Sequence, residues 1–204
     1  MRLVPPFAKS GVRRPMKMKR IFLFLCAVSI AAMLYTFALG WRRHHGLAAL
    51  EERRAAGGQV YLDEVEALSS LIGPHFVWAI LAGISVCLTH SVVLTYFLGT
   101  GKAIQEQTEL QNWSEEFNIA RRKLMGRAVV PAVVGILAIA GAAFAGGFAL
   151  IRTISPETHL VLSSLGVLAQ FPVFAREYAI IHENGKLMDK IIERLGGENI
   201  RIAL

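Results

Sequence analysis

Charge is missing from four long stretches of this 204-residue chain: positions 21–40, 75–98, 128–151 and 159–175 contain no Asp, Glu, Lys or Arg. A helix on the surface of a water-soluble domain keeps a polar face. Runs of 20, 24, 24 and 17 uncharged residues therefore exclude an ordinary globular fold. Cysteine is scarce, with Cys26 in the first run and Cys87 in the second. Helix rise puts them at different depths, so two free thiols are expected rather than a disulfide framework. Cys26 has no Cys or His at ligand spacing and Cys87 has only His90, too few ligands for a site, so no metal centre is expected. Internal repeats and Pro- or Ser-rich linkers are absent too, which leaves no room for a separate soluble domain. Nor does the chain carry a nucleophile–base arrangement or paired catalytic carboxylates, so no enzyme class is suggested.

What is present fits a lipid bilayer. Hydrophobic residues make up 54% of the chain and the mean hydropathy is +0.47. About 20 apolar residues carry a helix across a hydrocarbon core of roughly 30 Å, at about 1.5 Å per residue. The first three runs are long enough. The fourth reaches that length if it extends to residue 181 with Arg176 snorkelling toward the headgroups. The expected fold is thus all-α and polytopic, with four transmembrane helices over about 21–40, 75–98, 128–151 and 159–181. A basic tail over 1–20 precedes this membrane domain of 21–181, and a C-terminal tail over 182–204 follows it. The basic, acid-free start resembles a signal sequence, but an apolar run of 20 residues exceeds the roughly 7–15 of a cleaved signal, so an uncleaved anchor is expected.

The net charge of +7 is distributed by side. Lys and Arg number seven before the first run, five between the second and third and five from residue 176 onward, against four and one in the other two connections. By the positive-inside rule both termini are cytoplasmic, in a cell inner membrane. The basic excess then requires no nucleic acid; the bilayer is the partner, together with other membrane subunits or a second copy. Trp41 and Trp78 fall near the outer boundary and Tyr96, Phe97 and Tyr178 near the inner one, as interfacial rings should.

Between the second and third runs, Leu110, Trp113, Phe117, Ala120 and Leu124 recur at helical spacing. They predict a cytoplasmic amphipathic helix within 102–127, lying on the membrane or continuing the third span to pack on the C-terminal tail. Gly99, Thr100, Gly101 and Lys102 imitate a phosphate loop. The Gly five residues before Gly101 and the Ser or Thr after Lys102 are both missing, so these residues read as a terminator that turns the chain out of span two. In the connection 41–74, two short helices are expected on either side of Gly57-Gly58. In span three, Ala138, Gly141, Ala142 and Gly146 supply small residues for close helix packing, within the bundle or between two copies.

His90 is the one ionisable group well inside the hydrocarbon region, about 12 Å from the inner boundary by helix rise. Gln170 at about 9 Å and Ser29 at about 12 Å reach a similar layer from two other spans. An intramembrane ionisable group is costly unless paired, so this trio is the candidate site. It serves either as hydrogen-bonding glue or for a proton step, a haem ligand or a quinone contact. No cofactor is expected; bis-histidine haem at the depth of His90 lacks a second histidine, and only His75 has histidines (His44, His45, His159) at its own depth. Glu177 is expected to pair with Arg176 or with Arg121 and Arg122.

The pattern His90-Ser91-x-x-x-x-Tyr96-Phe97-x-Gly99-Thr100-Gly101-Lys102, joined with Phe174-x-Arg176-Glu177-Tyr178, resembles a group of small four-span bacterial membrane proteins of uncharacterised activity. The resemblance covers about residues 70–190. It implies the four-span architecture and points to His90 and the Gly-Thr-Gly segment. The leading expectation for function is an accessory or assembly subunit of a larger inner-membrane complex. The alternatives are a redox or proton-handling subunit using His90, and a small oligomeric transporter.

Overall fold

A computed structural model describes residues 18–202, with side chains to residue 196. The expected basic tail over 1–20 lies largely outside the described residues. Five helices follow one another: α1 Met18–Ala55, the short α2 Leu62–Ser69, α3 Ile72–Leu110, α4 Glu116–Leu150 and α5 Pro156–Ile202. The described residues contain no strand, and four of the helices are long and apolar enough to cross a membrane. The protein is an all-α chain with four such spans.

Helices of 35 to 47 residues reach about 52–70 Å, roughly twice the hydrocarbon thickness. Their ends therefore stand outside the bilayer, and this overturns two expectations about the connections. The Gly99-Thr100-Gly101-Lys102 segment does not terminate span two, because α3 runs through it without a break to Leu110. Two glycines cost a helix about 1 kcal/mol each relative to alanine. The tertiary contacts around them offset that cost: Gly101 is buried where Arg121 of α4 crosses, and Asn184 of α5 donates to Thr100 Oγ1 at 3.1 Å. Lys102 is exposed, with Nζ 3.8 Å from Glu106.

The separate cytoplasmic amphipathic helix is likewise replaced by a helical hairpin. The chain turns at residues 111–115, with Asn112 at φ 49°, and the expected stripe is shared between the end of α3 and the start of α4. Leu110 is left exposed, while Phe117 and Leu124 are buried. Phe117, Ile104 and Ile191 form a small core with Leu187, Met188 and Leu195, and the Arg194 guanidinium lies over Trp113 at 5.0 Å. The stripe thus continues span three and packs on the C-terminal segment, which is itself the end of α5. At the opposite end α1 carries on to Ala55, so the first of the two short helices expected in 41–74 is the end of span one. The break falls at Gly57, whose φ of +77° suits glycine.

The long helices surround one core, α1 beside α3 and α5, and α4 beside the same two. Phe22, Met33, Val86, Val93, Phe97, Ala128, Phe174, Ile180 and Ile181 fill it. Phe97 is therefore a core residue and not an interfacial ring. Outward faces carry Phe24, Leu34, Ile84, Leu88, Leu137, Phe144, Leu165 and Leu168, the surface that lipid would cover.

Of the small residues in span three, Ala138 and Ala142 lie against Gly166 of α5: a Cβ built there would meet Ala142 Cβ at 3.0 Å and the Ala138 carbonyl at 3.1 Å. Gly146 faces His159, whereas Gly141 looks into open space. The stripe is mainly the internal α4–α5 seam.

Candidate functional site

Within this core one layer is polar. Ser29, Thr89, His90, Gln170 and Glu177 are all fully inaccessible, each at 0% exposure. His90 projects from α3 between α4 and α5. Its Nδ1 is 2.8 Å from Glu177 Oε1 and its Nε2 is 3.1 Å from Gln170 Oε1. Gln170 Nε2 donates in turn to the Gly135 carbonyl at 2.9 Å. Phe174, one turn from both α5 residues, stacks on the imidazole at 5.4 Å, and Phe22 of α1 closes edge-on behind it.

Gly135 makes this geometry possible. A Cβ at that position would stand 2.2 Å from His90 Nε2, so only glycine lets the ring reach α5.

The bonds set the protonation of the ring. Because the Gln170 amide nitrogen donates to Gly135, its oxygen must accept from His90, so Nε2 carries a hydrogen. Nδ1 and Glu177 Oε1 then need one proton between them, either as imidazolium with carboxylate or as neutral imidazole with carboxylic acid. Both forms have zero net charge, which a hydrocarbon core tolerates far better than a lone ion. With both nitrogens engaged, His90 has no lone pair left for a haem iron. The second carboxylate oxygen, Glu177 Oε2, is buried without a hydrogen-bond partner.

Two of the three expected site residues therefore meet directly, and the third does not. Ser29 lies in the same layer but bonds Ser85 at 2.8 Å and Thr89 at 3.0 Å, knitting α1 to α3 beside His90. Glu177 was expected to pair with arginine and instead pairs with His90. Adjacent helical residues point about 100° apart, so Arg176 faces outward while Glu177 faces the core. Its signal in the sequence is a register: Ser163, Gln170, Glu177 and Asn184 follow at steps of seven along α5.

At the end of the bundle away from the basic termini His75 Nδ1 donates to the Thr36 carbonyl at 3.0 Å, and its ring lies 6.5 Å from that of His159. His159 Nδ1 is in turn 3.1 Å from Ser163 Oγ. Of the histidines at its depth, His159 is thus the neighbour of His75; His44 and His45 stand on the C-terminal extension of α1, where the Trp41 ring lies tilted against His45 at 4.1 Å. Among the described residues no three His, Cys, Asp or Glu side chains gather as a metal site. Cys26 is buried and Cys87 half-buried, and both are free. No protein-family model, curated protein or solved structure matches the chain.

Proposed function

We propose that this chain is a proton-handling subunit of an inner membrane, in which His90 and Glu177 hold one exchangeable proton. The observation that carries the reading is the 2.8 Å bond between two ionisable side chains, both wholly buried within candidate spans. A bond of that length requires a proton between the two atoms, and moving it from nitrogen to oxygen leaves the net charge unchanged. Within such a pair the proton shifts without exposing a lone charge to hydrocarbon. The unpartnered Glu177 Oε2 supplies an acceptor through which that proton can leave. Purely structural glue would have no need of it. Both termini are assigned to the cytoplasm on the asymmetry of Lys and Arg. Consistent with one shared face, Lys19 of α1 hydrogen-bonds His182 of α5 at the basic end.

The test is difference infrared spectroscopy of the purified protein in nanodiscs on exchange of H2O for D2O. A carboxyl band that shifts on exchange, vanishes in Glu177→Gln and moves in His90→Gln is the expected result. Spectra identical in wild type and E177Q would overturn the reading.

A second reading, an accessory or assembly subunit of a larger complex, is favoured by Leu110, Ile119 and Ile192. These apolar side chains are exposed on the helix extensions at the basic end, where lipid does not reach. Stoichiometric foreign subunits on purification in mild detergent would support it, and a chain that purifies alone would remove it.

A further inference from the structure

The seven-residue register on α5 extends the His90 site in both directions. At about 1.5 Å per residue its members are spaced about 10.5 Å apart, and each has a polar partner on another helix or one turn away. Ser163 bonds His159, which stands beside His75 at the outer end. Gln170 and Glu177 are bridged by the His90 ring, whose two nitrogens span that interval completely. Asn184, 2% exposed, donates to Thr100, which bonds the Tyr96 carbonyl at 2.8 Å near the basic end. Beside them lies the Ser29–Ser85–Thr89 group, and the hydrophobic core that packs around both is aliphatic and aromatic. Placing four polar side chains on a single inward line of a membrane helix costs stability at every position that is imperfectly satisfied.

We infer that this line is a proton route crossing the membrane along α5, from the His75–His159 pair through Gln170, His90 and Glu177 to Asn184 and Thr100. It rests on the proton-handling reading above and adds to it a pathway. The His90 interval conducts by exchange: Nδ1 passes its proton to Glu177 Oε1, the carboxyl group rotates to turn its O–H toward Asn184, and release leaves the pair one proton short. The ring, turned out of its bonds, regains a proton at Nδ1 from the Gln170 side and swings back, so each passage moves one proton and restores the pair. Amide side chains do not titrate. Gln170 and Asn184 therefore act as positioning residues that hold the bridging water molecules needed over the intervals to Ser163 and beyond Glu177.

The experiment uses the full chain in liposomes that enclose a pH-sensitive dye, with proton entry driven by a potassium diffusion potential. Protein-dependent acidification is expected, lost in Glu177→Gln and strongly reduced in Asn184→Leu, a substitution that keeps the branching of the side chain, removes its polar atoms and leaves the residues of the His90–Glu177 bond unchanged. Asn184→Ser, which puts a hydroxyl in place of the amide, is expected to keep part of the flux. Size-exclusion profiles and thermal unfolding confirm that each variant is folded. An exchangeable Glu177 band without proton flux would overturn the route while leaving the proton-holding pair standing. Absence of both would overturn the pair as well. Flux that is unchanged in N184L would show that protons cross elsewhere, and would likewise overturn this route.

Discussion

His90 and His75 stand on the same helix, fifteen residues apart. The first has both ring nitrogens bonded and no exposure, whereas the second is half-buried with one nitrogen bonded to a carbonyl. Depth accounts for the difference. Near the headgroups water can complete what the protein leaves open, so His75 needs one fixed bond. In the hydrocarbon core every polar atom must find its partner within the protein. There α3, α4 and α5 are arranged around one imidazole, down to a glycine that makes way for it. The exception, Glu177 Oε2, is for that reason the most informative atom of the layer.

Breaking the inner site should cost far more than breaking the outer one. Glu177→Ala leaves His90 Nδ1 without a partner in the core and is expected to destabilise by about 3–5 kcal/mol, the range for removing one member of a buried pair. Reversible unfolding in mixed micelles reads this directly, and a loss comparable to a surface substitution would remove the contrast. Gly135→Ala comes next. With a methyl group intruding on His90, an overpacking penalty of about 1–3 kcal/mol is expected. The displaced ring should also appear as altered histidine resonances in isotope-edited NMR. His75→Ala should cost less, about 0.5–1.5 kcal/mol for the bond to Thr36, without any change at His90.

The smallest effect is expected outside the spans, at Glu183 on the basic face. The hydrogen bond from Arg127, 2.9 Å from Arg127 Nη2 to Glu183 Oε1, holds this carboxyl below its ordinary 4.5. The folded state therefore binds fewer protons here than the unfolded chain. Its contribution is fully present above pH 4.5 and disappears as pH falls through the lowered value. Both side chains are more than a third exposed, so solvent screening keeps the effect small. A stability profile of Glu183→Gln should lie slightly below wild type near neutral pH and merge with it in acid. A constant offset at all pH values would mean packing, not charge, is responsible.

Much of this molecule can be read along the chain. The four uncharged runs mark the spans because a helix in lipid must satisfy its backbone internally and present apolar side chains, both of which are local properties. His90 and Gln170 share a layer by helix rise alone, whereas their bond depends on how α3 and α5 are rotated toward each other. The Gly-Thr-Gly segment misleads for an equally physical reason: glycine lowers helix propensity locally, and only the packing of Arg121 and Asn184 against it keeps α3 intact. Glu177 is hidden by its neighbour Arg176, because proximity in sequence suggests a pairing that helical rotation forbids.

Composition and patterning by themselves determined the helical class, the number of spans and the asymmetry of charge between the two ends. The tertiary structure alone decided which polar groups meet: His90 with Glu177, Gly135 beneath the ring, and Ser29 bonded to its neighbours instead. Spans follow from the solvent each segment must tolerate, which every residue reports independently. Pairings depend on how each helix is rotated about its axis and staggered against the others, and only the packing of the whole bundle sets that.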